Sequence, residues 1–146
     1  MKTVLLASVL LLPAGFIAMA ADTRPEIEVG QIWKYRSRAD ESASRVTVVK
    51  VEDLDGYGRI VHVFVDNLKI KCPKCDGGVS RSLTHSPLTE EAFLKTVTEL
   101  EGTTRELPEY EEGFQTWRDA FDAGEAGVFT ITVDRIIVLM EEAINR

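Results

Sequence analysis

Cys72-Pro73-Lys74-Cys75, followed by Gly77 and Gly78, is the sharpest local signal for chemistry in this chain. Two thiolates at this spacing can hold zinc, because the intervening turn aims both sulfurs the same way. A tetrahedral site then needs two more ligands. The chain contains two histidines, so a Cys72, Cys75, His62 and His85 set is the metal alternative. A redox role needs the pair to open a helix whose N-terminus depresses one thiol pKa. Asp76-Gly77-Gly78 opposes a helix there. The leading expectation is a structural disulfide between Cys72 and Cys75, with no cofactor.

His62 lies between Val61 and Val63 in an alternating segment. Such a histidine is most simply a sheet residue hydrogen-bonded to a neighbour, with a ligand or catalytic role as the rival. His85 precedes Ser86-Pro87, where it is either part of a helix entrance or an exposed base. A hydrolase built on His85 would need a cleft and a nearby acid, and no Ser-His-Asp order is legible. Trp33, Tyr35 and Trp117, with His85, form the candidate binding set, because exposed aromatic side chains anchor partners well. Their rival role is core packing. Asp53 to Ile60 opens like a calcium loop, but Tyr57 and Phe64 stand where oxygen ligands belong. A hairpin turn is the better account.

The first twenty residues read as a leader. Lys2, the apolar run Val4 to Leu12, the break at Pro13 and Gly15, and Ala18-Met19-Ala20 have the order of a cleaved signal peptide. The run is shorter than the roughly 20 apolar residues of a membrane-spanning helix. Cleavage between Ala20 and Ala21 is expected, delivering a chain to the periplasm or the medium, with no stable membrane insertion. An oxidising compartment favours the disulfide. The formal net charge is −7, and losing Lys2 with the leader makes the mature chain more acidic still. That balance repels phosphate backbones and excludes nucleic acid as a natural partner.

Residues 21–146 read as a single α+β domain. Val29 to Arg36, Arg45 to Glu52 and Arg59 to Ile70 are strand-like, and short polar links between them predict an antiparallel meander. Lys71 to Ser86 reads as a loop. Thr89 is an N-cap with Glu90 and Glu91 behind it, and Leu88 with Phe93 forms a hydrophobic staple. The helix it starts should run to Gly102. A second helix is expected over Pro108 to Asp122, weakened by Gly113 by about 1 kcal/mol relative to alanine. Gly127 to Ile131 reads as a short fourth strand, and Thr132 starts a final helix. The architecture expected is a sheet of three to four strands with about three helices packed mainly on one face.

The segment Gly30-Gln31-Ile32-Trp33-Lys34-Tyr35, with Val61-His62-Val63, His85-Ser86-Pro87 and Gly113-Phe114-Gln115-Thr116-Trp117, resembles a family of small uncharacterised exported bacterial proteins. The resemblance implies a bacterial origin and carries no assigned activity. The expectation for function is an exported, non-enzymatic module that binds a protein or a small ligand, as inhibitor or immunity-type proteins do. The alternative is a small metal-binding or thiol redox protein centred on Cys72 and Cys75.

Overall fold

The computed structural model describes residues 24–146, so the expected leader and its cleavage point lie outside the described residues. Strands β1 (Gln31–Tyr35), β2 (Val46–Leu54) and β3 (Gly58–Val65) form the expected antiparallel meander. The turn from β2 to β3 is a tight reversal, with Gly56 and Gly58 both at positive φ, a conformation that disfavours L side chains. Strand β4 (Ile70–Lys71) pairs with β5 (Val79–Ser80) in a separate small hairpin. Strand β6 (Leu83–Thr89) adds to the free edge of β3, and β7 (Val97–Thr103) adds to the free edge of β1. The main sheet is therefore five-stranded and antiparallel, in the order β6-β3-β2-β1-β7.

Three expected segments are corrected. The helix that Thr89 starts, α1 (Glu90–Thr96), ends early, and β7 replaces its second half. The cap itself is as expected, with Thr89 Oγ1 accepting from Ala92 N at 3.2 Å. Val97-Thr98-Glu99-Leu100-Glu101 has acceptable helix formers, but the open edge of β1 offers a full ladder of backbone partners, and pairing overrides propensity. The expected strand at Gly127 to Ile131 reduces to one parallel bridge between Leu88 and Phe129. The expected loop from Lys71 to Ser86 holds β4, β5 and the start of β6.

Alternation along β3 sorts the sheet into two faces. Val61, Val63 and Val65 point into the main core with Trp33, Tyr35, Val46 and Val48. Helix α1 contributes Ala92 and Phe93 to this core, and α3 (Val133–Ile144) contributes Val133, Ile136 and Ile137. Trp33 meets Phe93 edge to face at 5.9 Å. Each such fully buried side chain stabilises the fold by about 2 kcal/mol. Thr96 Oγ1 accepts from Val133 N and donates to Ala92 O, which ties α1 to α3. Helix α2 (Glu111–Asp122) lies on the other face, against the β3–β6 side of the sheet. It has no fully buried residue. No helix among the described residues is long and apolar enough to cross a membrane.

Candidate functional site

The face beneath α2 gathers the ionisable side chains. In an antiparallel ladder, directly opposed residues share a face. His62 on β3 opposes Lys50 on β2 and Pro87 on β6, and Ile60 opposes Glu52. Lys50, Glu52, His62 and His85 therefore project from one side of three adjacent strands. His62 is fully buried among them.

His62 uses both ring nitrogens. Its Nε2 lies 2.8 Å from Glu52 Oε1, and its Nδ1 lies 2.8 Å from His85 Nε2. Burial drives the pKa of both histidines down to about 4. Glu52 opposes this shift at both rings. Lys50 and Arg118 reinforce it at His62, and His62 reinforces it at His85. Both imidazoles are therefore neutral near pH 7, and that fixes the direction of every bond. A carboxylate only accepts, so His62 Nε2–H donates to Glu52. His62 Nδ1 must then accept, so His85 Nε2–H donates to it. The line ends at His85 Nδ1, a bare lone pair.

That nitrogen has no hydrogen-bond partner among the described residues, and no fully buried side-chain nitrogen or oxygen there lacks one. It is therefore open to the space that His85 lines, a half-open cavity of about 930 Å³ between β6 and α2. Small-molecule sites commonly fall between about 300 and 1,000 Å³. Trp117, Phe129 and Met140 supply apolar wall, and Glu109, Glu111 and Glu112 supply carboxylates.

Helix α2 closes the other side of the relay with aromatic rings. Phe114 and Trp117 lie 5.3 and 5.0 Å from the His62 ring, centroid to centroid. Trp117 is held in place by its Nε1–H, which donates to Gly127 O at 2.8 Å. Arg118 donates to Glu52 Oε1 and lays its guanidinium 4.9 Å above the Trp117 ring. Gly113 lets the helix come this close. A β-carbon there would stand 2.9 Å from His85 Cβ, inside van der Waals contact.

The structure brings some of the expected site residues together and separates others. His85 and Trp117 share the cavity, whereas Trp33 and Tyr35 are buried in the main core and unavailable to a ligand. Burial also pushes the Tyr35 phenol up to about 12. Cys72 and Cys75 lie at disulfide-bond distance, 2.03 Å between sulfurs. They lie in the connection between β4 and β5 and are not grouped with the histidines, of which His62 has both ring nitrogens engaged. The four residues of the zinc alternative are not assembled, and no group of three or more His, Cys, Asp or Glu among the described residues is placed to hold a metal ion. The hydrolase alternative finds its cleft and nearby acids at His85. Sequence reasoning missed Glu52, Arg118 and the pairing of the two histidines. A period-two reading through the β2–β3 turn would have placed Glu52 on the His62 face. Nothing local marks Arg118. Compared with known proteins, the chain matches no family model, no curated protein and no solved structure.

Proposed function

We propose that the protein is an exported, non-enzymatic binding module whose ligand, a small molecule or a side chain of a partner protein, enters the cavity between α2 and β6. The observation that carries this reading is the open lone pair of His85, held in a fixed direction by His62 and Glu52, at the wall of a half-open cavity. A rigid acceptor supported from behind is a recognition device, because its orientation is set before the ligand arrives. Binding is favoured over turnover because a base with a pKa near 4 removes protons poorly at neutral pH. The leader-like first twenty residues and the bridged cysteines support export, with Ala21 as the first residue of the mature chain.

A fragment screen followed by amide NMR shifts tests this reading. Perturbations should concentrate on Thr84 to Pro87 and Thr116 to Ala120. Hits scattered over the surface, or concentrated on the β4–β5 hairpin, would overturn it. The thiol alternative makes the opposite forecast: replacing both Cys72 and Cys75 by serine should abolish function. On the binding reading that double variant keeps its cleft and loses only about 2 kcal/mol of stability from opening a short covalent loop.

A further inference from the structure

The cleft's polar groups narrow its ligand to one chemical class. Three carboxylates line it, from Glu109, Glu111 and Glu112, and neither lysine nor arginine does so among the described residues. The polar atom that the relay fixes on its wall, His85 Nδ1, is an acceptor with nothing to donate. An anion would meet repulsion from the rim and no donor from that ring. A neutral hydroxyl would satisfy the nitrogen and leave the carboxylates unused. Only a cation that carries N–H groups answers both demands, since charge-assisted hydrogen bonds are the strong ones.

Building on the cleft reading above, we propose that this site binds an organic cation with N–H donors, a protonated amine or a guanidinium, through an N–H···Nδ1 bond to His85 and the charge of Glu109, Glu111 and Glu112. His85 is the recognition residue. His62 and Glu52 are positioning residues, because they act on the ligand only by keeping that lone pair bare. The other charged groups facing the relay are Lys50 from β2, over the Phe114 ring, and Arg118 from α2, engaged by Glu52.

The test uses the whole purified protein at pH 7, with ¹⁵N-labelled histidine and four probes: butylammonium, methylguanidinium, tetramethylammonium and butyrate. Long-range ¹H–¹⁵N spectra should show both histidines as Nε2–H tautomers, with His85 Nδ1 unprotonated. Butylammonium and methylguanidinium should move the His85 Nδ1 resonance. Tetramethylammonium has the charge without a donor, and should bind about tenfold more weakly, the cost of one hydrogen bond to a charged group. A blocked arginine derivative, added as a fifth probe, separates a protein-borne cation from a free amine. Butyrate binding in the cleft as tightly as butylammonium, or a protonated His85 Nδ1, would overturn the cation assignment and leave the cleft reading standing. If no probe perturbs the cleft, both fall. In His85→Phe the preference for butylammonium over tetramethylammonium should vanish. Should that variant not fold, Glu112→Gln provides the check, weakening both cations alike without changing their ratio; an unchanged affinity for both would count against the proposal.

Discussion

Two carboxylate networks sit in this small domain, and they end differently. Glu41 is 1% exposed and accepts from Arg38 Nε at 2.8 Å, from Arg38 Nη2 and from the backbone N of Lys69 at 2.7 Å. Arg38 continues to Glu141 on α3 at 3.2 Å, and Glu141 accepts from Lys71 N at 2.7 Å. Every strong group there finds a permanent charge or a backbone partner inside the protein. The bond to Glu41 holds the Arg38 guanidinium above its ordinary value, so its charge is permanent near neutrality. The second network, Glu52–His62–His85, is built from titratable rings and stops at an unused lone pair facing a cavity. The closed network fastens the β4–β5 hairpin to α3. The open one has a direction and an end, as a recognition site does.

Cutting each network at its carboxylate should break the symmetry between them. Glu41→Ala leaves the Lys69 N–H without its acceptor and Arg38 with Glu141 as its remaining carboxylate, and should cost about 3 kcal/mol, read from urea denaturation. Glu52→Ala should cost less, about 1–2 kcal/mol, because the partly exposed Glu52 can be replaced by water beside Arg118 and the neutral His62 loses one hydrogen bond. Equal losses would dissolve the distinction.

Acid sharpens it next. The native histidines hold their pKa near 4 against 6.5 in the unfolded chain. Below pH 6.5 the unfolded state therefore binds protons that the native state refuses, so stability falls with falling pH. The contribution is complete above pH 6.5, declines across the window from 6.5 to 4, and is lost below it. Lys50 and Arg118, adjacent to His62, add to the penalty of charging it, while Glu52 offsets part. Urea midpoints measured from pH 8 to pH 4 should show this slope. The double variant His62→Phe, His85→Phe should lose most of it, while Arg38→Met should keep it. A slope untouched by removing both rings would place the acid sensitivity elsewhere.

How much of this was legible beforehand follows from the range of the interactions. The β1–β3 meander, the Thr89 cap and the final helix are local patterns, and each can be read within a dozen residues. Strand β6 escaped because Leu83-Thr84-His85-Ser86-Pro87-Leu88-Thr89 contains a proline and lacks a β-branched run. Its place at the edge of the sheet explains that composition. Proline donates nothing to a ladder and is tolerated on an outer strand, where Pro87 O instead accepts from Phe129 N. With β6 unread, His85 had no strand to stand on and no route to His62, twenty-three positions away. The relay is a product of three-strand register, which no single segment encodes.

Gly113 provides the subtlest test, because two local effects oppose each other there. As a mid-helix glycine it weakens α2, and alanine should return about 1 kcal/mol. The added methyl, however, would stand 2.9 Å from His85 Cβ and 3.2 Å from Thr84 Oγ1. The first neighbour is the root of a side chain whose ring is pinned by its bond to His62, so it cannot swing aside. Overpacking of this kind costs about 1–3 kcal/mol. Gly113→Ala should therefore be neutral to destabilising overall, by about 0–2 kcal/mol. Its clearer signature should be local: α2 rides outward, the His85–His62 bond lengthens, and the ¹⁵N resonance of His85 Nε2 moves. The Arg38–Glu41 clasp lies outside this strain, so hydrogen exchange at Lys69 N should not change. A Gly113→Ala protein more stable than the parent, with the His85 resonances unmoved, would mean that α2 is not held against β6 as tightly as the open network requires.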